Sequence, residues 1–502
     1  MYILTILITL ISKKLFFPIP ISTIPSKTLS LRSLTPSSVY GNSHNLNYYY
    51  SYLYLGEEKK KQSYILDTGS SITTSPCNLC NSCGKHENEY YKINENNILK
   101  CNNNECSYVK NNCNIKENDC EFSINYSEGS SISGKYIKEN ITFGDNFLNE
   151  KLIEFPIGCT NKETYLFLNQ FADGIMGLQN TEKSFVSILF KKGFIKNNIF
   201  TLCFDYYDGF FSIGEILYES HLNNNISYMN IEKSNFYQVN IIDIEINGKN
   251  IHINNESNII YNSIIDSGTT VSYFPYFIIN NIINVIKDIC NQEEFKNKCG
   301  YIKKIREMGE CFIFKTKTEM NYAIYNIFPN ITFLFQGNFT FIWEPKNYYF
   351  DNSQNEIMCC FGFIGDYSNR ITLGSTFIKG YDFIFNSEEN KIGFVKANCS
   401  FLKGKNNINN DNKNNNIVIK IIVIVSFFII ILILIIVFRK KIKFYFTNKQ
   451  YSKVISELSQ KNNQDKNIEN NNINNFNTNS NINIEEKKSE IKENENNSDN
   501  IK

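Results

Sequence analysis

The sequence lacks an excess of charge of either sign. Lys and Arg number 51 against 50 Asp and Glu, a formal net charge of +1 over 502 residues. So balanced a chain offers no electrostatic footprint for a polyanion, which excludes nucleic acid as a partner at this level. Short tandem repeats are missing; what repeats does so at long range. Helical periodicity is scarce, confined to Glu182–Lys191 and to Pro275–Cys290 with its apolar i, i+3, i+4 spacing. Tryptophan is nearly absent, Trp343 being the only one. The apolar run Tyr2–Ile11 has no Lys or Arg before it and is too short to span a bilayer.

What is present is apolar bulk, cysteine and asparagine. With 42% hydrophobic and 14% aromatic residues, the chain can build two or three domains with sizeable cores. The Asn excess lies in loop-like stretches and near the C-terminus and reads as compositional bias. Of 15 cysteines, seven fall between Cys77 and Cys120. Such a set is either a reduced, metal-binding one or an oxidised, disulfide-bonded one, according to compartment. The ends of the chain bear on that choice. Tyr2–Ile11 has the size of a signal-peptide core, so residues 1–20 read as a signal peptide. Ile417–Phe438 is apolar with one Lys near its start, long enough to cross a ~30 Å hydrocarbon core. Arg439–Lys443, "RKKIK", follows at once and marks the cytoplasmic flank of a single-pass type I membrane protein. Residues before 417 are then lumenal or external, which favours disulfides. The long tail after the span argues against a lipid-exchange signal.

Residues 21–44 are rich in Ser, Thr and Pro and read as a leader or short prosegment. From 45 to 403 the pattern is short β-branched and aromatic runs punctuated by turn residues, which predicts a mostly-β body. Residues 45–215 and 216–403 form its two β lobes, the first carrying the Cys-rich insert 77–120. Residues 404–416 read as a stalk, 417–438 as a transmembrane helix and 439–502 as a disordered cytoplasmic tail.

The long-range repeat is "YILDTGSS", Tyr64–Ser71, returning as "SIIDSGTT", Ser263–Thr270. The two Asp residues, Asp67 and Asp266, are 199 positions apart (266 minus 67). Each half later repeats an apolar run through Gly: "ADGIMGL", Ala172–Leu178, and "RITLGSTFI", Arg370–Ile378. Two pseudo-symmetric lobes, each delivering one Asp, are the expected result. The chemistry of such a pair is defined. One carboxylate takes a proton from water while the other gives one to a carbonyl oxygen or leaving amine. Held about 3 Å apart, both cannot ionise, so the pair shares a proton. Gly69 and Gly268 permit the tight turn and the close approach of the opposite loop. The neighbouring hydroxyls can orient the carboxylates and the crossing loop. Two Asp-containing β-turns of a plain sandwich are the structural alternative.

On these motifs the chain resembles the pepsin family of aspartic proteases, from about Tyr48 to Cys399. The resemblance implies a mostly β, bilobal pepsin-like aspartic protease fold, here with a single C-terminal transmembrane helix. It makes Asp67 and Asp266 the catalytic pair of an aspartic-type endopeptidase acting on polypeptide substrates. It implies no metal and no organic cofactor, and a monomer. In "NYSEGSSISGKY", Asn125–Tyr136, it identifies Tyr126 as the tyrosine of a flap over the cleft; a Gly/Ser turn between aromatic-rich strands also reads independently as a mobile lid. The family's Trp partner for that tyrosine has no evident counterpart.

The block "CNLCNSCGKH" places Cys77, Cys80, Cys83 and His86 at spacings that can ligate zinc. The lumenal setting and four more cysteines downstream favour a disulfide-stapled loop instead. A Cys-rich insert between the first Asp and the flap resembles the nepenthesin type of the family. The insert, the flap, "WEPKNYYF" and "KIGFVKANC" resemble more narrowly the export-processing proteases of apicomplexan parasites. That resemblance implies cleavage of secretory cargo at a motif with a basic residue, in the endoplasmic reticulum or Golgi. It places Glu128 where a flap carboxylate pairs with a substrate Arg, a geometry suited to a guanidinium. Ser127 stands where that group has Cys. Three other readings remain: a broad-specificity protease of the cell surface or an acidic compartment, a catalytically silent binding module, and a structural zinc protein.

Overall fold

The computed structural model describes residues 34–469, apart from 43–45, 47, 109–111, 115, 252–260, 306–308 and 354–355. Side chains are not described for 107–108, 112, 404–424 and 460–469. The expected signal peptide, residues 21–33 of the expected leader, and residues 470–502 lie outside the described residues.

Residues 34–403 are mostly β. A 14-stranded sheet, an eight-stranded sheet and a four-stranded sheet account for the strands among the described residues. Alternation sets which face each strand buries. Ile331–Phe335 alternates buried and half-buried residues, as a strand with one face on the core must. Tyr381–Asn386 is buried at every position, as a strand covered on both faces must be. Phe333, Phe341, Phe377 and Phe383 interlock in that core with ring centroids 4.2–6.0 Å apart.

The large sheet joins chain segments far apart in sequence. Ile199–Phe204 pairs antiparallel with Tyr381–Asn386 on one side and with Asp208–Ile213 on the other. Asp208–Ile213 then pairs with Ser37–Asn42, which pairs in turn with Tyr48–Leu55. The expected lobe boundary at residue 45 falls just after this strand. Composition alone places Ser37–Asn42 in the leader, yet it fills an interior place in the sheet, with Ser37 and Val39 buried.

The repeated phrases form the same local topology twice. Lys60–Asp67 pairs in parallel with Gly174–Gly177, Asp67 opposite Gly177. Tyr261–Ile265 pairs in parallel with Ile371–Leu373, Ile265 opposite Leu373. In each case a short strand after the Asp turn, Thr74–Pro76 or Ser272–Pro275, touches the same downstream strand antiparallel and another neighbour in parallel. The two apolar runs through Gly are therefore the partners of the two Asp strands.

The two helical patterns form helices at Phe185–Lys191 and Tyr276–Cys290. The second buries Ile278, Ile279, Ile282, Ile283, Ile286 and Ile289, the face its spacing requires. Seven disulfides join Cys77 to Cys159, Cys80 to Cys83, Cys101 to Cys113, Cys106 to Cys120, Cys203 to Cys399, Cys290 to Cys299 and Cys311 to Cys360. Cys359 is the free thiol, and it is buried.

Phe401–Glu469 is one helix. The expected stalk 404–416 and the first part of the expected disordered tail, 439–469, are thus helical. Lys, Glu, Gln and Leu in "KQYSKVISELSQK" are good helix formers, which low apolar content alone does not reveal. Among the described residues no helix is long and apolar enough to cross a membrane. The expected span Ile417–Phe438 lies in this helix, and its first eight side chains (417–424) are outside the described residues. From Val425, 50% exposed, to Phe438, 66% exposed, its described apolar side chains are exposed, apart from the half-buried Ile431.

Candidate active site

Each Asp stands at the end of a strand, where the chain turns back. Asp67 closes Lys60–Asp67, and Asp266 follows Tyr261–Ile265. The turns are fixed from below: the Leu178 N–H donates to the Asp67 carbonyl at 2.8 Å, and the Asp266 N–H to the Leu373 carbonyl at 2.9 Å. Within each turn the glycine N–H donates to the carboxylate of its own Asp, Gly69 to Asp67 Oδ1 at 2.8 Å and Gly268 to Asp266 Oδ1 at 3.0 Å. Thr269 Oγ1 donates to Asp266 Oδ2 at 2.7 Å.

The loops are locked to each other by a reciprocal exchange of hydroxyls. Thr68 Oγ1 donates to the Ile265 carbonyl at 2.9 Å and accepts from the Ser267 N–H at 2.9 Å. Ser267 Oγ donates to the Leu66 carbonyl at 2.6 Å and accepts from the Thr68 N–H at 3.0 Å. Both side chains are fully buried. The crossing brings each carboxylate against the opposite glycine. A Cβ on Gly69 would lie 2.7 Å from Asp266 Oδ1, and one on Gly268 would lie 2.3 Å from Asp67 Oδ1. A side chain at either position must displace the opposite carboxylate.

Asp67 is 6% exposed and Asp266 half-buried. Burial, then the charge of Asp266, push the Asp67 carboxyl up to about 7, against the lowering effect of the Ser70 hydroxyl and the Gly69 N–H. The pair therefore retains one proton near neutral pH.

The expected flap is a hairpin of Asp119–Asn125 and Ser131–Phe143, closed between Asn125 and Ser131. Tyr126 opens its turn. The Tyr126 N–H donates to the Ser130 carbonyl at 2.8 Å, and the Gly129 N–H, at φ +98°, to the Tyr126 carbonyl at 3.0 Å. The Tyr126 hydroxyl is buried without a hydrogen bond of good geometry, although Ser70 lies close enough to act on it. Burial, then Asp67, raise its pKa well above the usual phenol value. The structure thus brings Tyr126 to the Asp pair. Trp343 is elsewhere: fully buried, with Nε1 donating to the Thr376 carbonyl at 3.1 Å. The ring against Tyr126 is Phe167, edge-on at 5.1 Å.

Glu128 is exposed at the flap tip. Its charge reaches Tyr126 and also Tyr273, on the strand that follows the second Asp turn; Tyr273 is raised by burial, then by Asp366 and Glu128. Sequence reasoning does not single out Ser70, Phe167 or Tyr273. Ser70 has a signal, lying within the repeated phrase; Phe167 and Tyr273 do not. The zinc alternative does not assemble: Cys77 and Cys80 are paired to different sulfurs, and His86 is held by Glu163 and Gln170.

The sequence profile described as eukaryotic aspartyl protease matches residues 48–397. Similar proteins include plasmepsin V of Plasmodium falciparum, 26% identical over 440 residues covering 72% of each chain. Aspartic proteinase 36 of Arabidopsis thaliana is 26% identical over 384 residues, 71% of this chain and 75% of its own. Aspartic protease 5 of Toxoplasma gondii is 24% identical over 196 residues, 35% of this chain and 20% of its own.

Proposed function

Because the chain belongs to the eukaryotic aspartyl protease family and is an aspartic endopeptidase, we propose that Asp67 and Asp266 are its catalytic pair, in a membrane-anchored enzyme that processes secretory polypeptides at a motif containing Arg. Water held between the carboxyls attacks the scissile carbonyl. The ionised carboxylate takes its proton, and the carboxyl that holds the shared proton polarises the carbonyl oxygen and later supplies the leaving amine. No step draws on a metal or organic cofactor. Tyr126 closes over the bound peptide and excludes water, and Gly69 and Gly268 let the extended backbone approach.

One observation carries this reading: two crossed loops set each carboxyl against the opposite glycine, and burial with mutual repulsion holds Asp67 at about 7. The finer features have their own support. Glu128 offers an unburied carboxylate at the flap tip, and its charge reaches Tyr273 on the strand after the second Asp turn. Seven disulfides fit an oxidising lumen. The outward apolar side chains of Val425–Phe438 fit a membrane anchor of type I topology, with the catalytic body in the endoplasmic reticulum and acting as a monomer. A second reading, broad apolar specificity at the cell surface or in an acidic compartment, is favoured by the apolar floor that Phe167 lays beneath Tyr126.

Cleavage of a peptide library by the purified enzyme, wild type beside Asp67→Asn and Glu128→Ala, tests these assignments. We expect wild type to cut at sites bearing Arg, Asp67→Asn to lose at least about 10³-fold in kcat, on the order expected when an acid–base group is removed, and Glu128→Ala to lose the Arg preference alone. Apolar cutting unaffected by Glu128→Ala would replace the Arg-motif reading with the second one. Full activity of Asp67→Asn would refute the catalytic assignment.

A further inference from the structure

His86, the last residue of "CNLCNSCGKH", takes no part in the reaction above, and its side chain and that of Glu163 are almost fully buried, 0% and 2% exposed. Nε2 lies 3.0 Å from Glu163 Oε2, and Nδ1 lies 3.0 Å from the backbone carbonyl of Gln170. The same Glu163 oxygen accepts from the Gly84 N–H at 2.9 Å. Both ring nitrogens therefore face acceptors. A neutral imidazole has one N–H and would set its other lone pair against an oxygen. Only the imidazolium donates to both.

The two acceptors are the two ends of one segment. Glu163 ends Ile153–Glu163, opposite Ile132 of the flap's second strand. Thr164 Oγ1 accepts from the Ser131 N–H, at the base of the flap turn, at 2.7 Å. The single turn Tyr165–Asn169 follows, and its buried Phe167 is the ring beneath Tyr126. Gln170 closes the segment.

We propose that His86, as the imidazolium, is a positioning residue for the flap, stapling Glu163 to Gln170 and thereby fixing the Phe167 floor on which Tyr126 closes. The proposal rests on Tyr126 acting as the flap tyrosine. The groups acting on His86 are Glu163 from the strand, Asp173 from the segment after Gln170, and Tyr90 of the insert, whose ring centroid is 6.4 Å away. Burial pulls the imidazolium's pKa down, but Glu163, the Gln170 carbonyl and Asp173 outweigh it and leave it raised. A raised histidine pKa keeps the staple whole below the ordinary value of 6.5 and releases it as pH rises through the folded-state value. The alkaline fall in activity then has two sources, the Asp pair and the staple.

The chain has four histidines, which makes the test direct. In full-length protein labelled with ¹⁵N-histidine, His86 is assigned by the signal lost in His86→Gln. We expect both its nitrogens protonated at pH 6 and a midpoint above 6.5. In Glu163→Gln we expect that midpoint to fall, amide exchange over Tyr126–Ser130 to quicken, and kcat/KM to drop about tenfold at pH 7, the size of one lost buried hydrogen bond to a charged group, while staying near wild type at pH 5. A neutral His86 at pH 6 overturns the proposal, as does a Glu163→Gln pH profile and exchange rate superimposable on wild type. The labelling and exchange measurements need no substrate. A wild type that cuts nothing would therefore fail the functional reading and leave the staple standing.

Discussion

Thr68 and Ser267 each hold the other's loop, and neither hydroxyl touches water. Replacing Thr68 by Val strands the Ile265 carbonyl and the Ser267 N–H in a buried site, at a cost of about 1–3 kcal/mol for each group left unpaired. Thr68→Val should lower Tm by several degrees and lower kcat more than it raises KM, because the error falls on the relative placement of the two carboxyls; calorimetry and steady-state kinetics check both. Ser267→Ala should behave alike. Asp67 makes a different prediction. Its folded-state pKa, about 7, lies above the ordinary carboxyl value of 3.8, so between those values the folded chain binds more protons than the unfolded one. Stability is then greatest below pH 3.8 as far as this group is concerned, and it declines as pH rises toward 7. Asp67→Asn should remove that decline and melt higher than wild type at pH 7.5, with the two converging toward pH 4; thermal melts across that range decide it. At this scale the pair, its glycines and its hydroxyls were legible, because one phrase occurs twice and each of its residues has a local reason. Phe167 beneath Tyr126 was not: the contact joins residues of separate elements, and nothing in "TYLFLNQF" distinguishes a flap floor from core.

The parallel partners of the Asp strands were legible at the scale of elements, since the repeat extended to the two apolar runs through Gly. So was the helix Tyr276–Cys290, whose apolar stripe is regular. The strand Ser37–Asn42 was missed. "SSVYGN" has one apolar branched residue, and its place in the sheet depends on two partners that lie far from each other in the chain, Tyr48–Leu55 and Asp208–Ile213. This bears on maturation. A protein beginning at residue 45 leaves two interior strands without their common neighbour, exposing paired backbone groups in the middle of a sheet. We expect the body beginning at residue 34 and ending before the apolar run, placed behind a foreign signal peptide, to be soluble and to melt cooperatively, and the same body beginning at residue 45 to be insoluble or protease-sensitive. Equal solubility and Tm for the two would show that the strand is dispensable and that maturation can remove it. The sheet of Tyr301–Ile305, Gly309–Phe314, Ile357–Phe361 and Tyr349–Asp351 was also unforeseen in its pairing, because cysteine spacing does not reveal that Cys311 meets Cys360.

For the whole molecule, cysteine count and chain ends make one connected argument. Fifteen cysteines with seven disulfides leave one thiol (15 minus 14), that of Cys359, which burial keeps unreactive by pushing its pKa far up. Unreduced protein should take up no maleimide when folded and one per chain in denaturant; a second thiol would mean that a disulfide does not form, and with it a less oxidising compartment. The proposed topology would account for an oxidised body: with Ile417–Phe438 as the span and Arg439–Lys443 on its cytoplasmic flank, the residues before 417 would lie outside the cytosol. The helix Phe401–Glu469 presents Val425–Phe438 outward, a surface that water disfavours by about 25 cal/mol per Å² and that hydrocarbon does not. Full-length protein should therefore stay with membranes through alkaline carbonate extraction, and protease added to sealed microsomes should trim only the segment after Phe438. Deleting 417–438 should release an active, disulfide-intact enzyme into the lumen. If that deletion leaves the enzyme pelleting with membranes, or if external protease digests the body of an intact vesicle preparation, the anchor is elsewhere or the orientation is reversed, and the disulfides then need another source of oxidant.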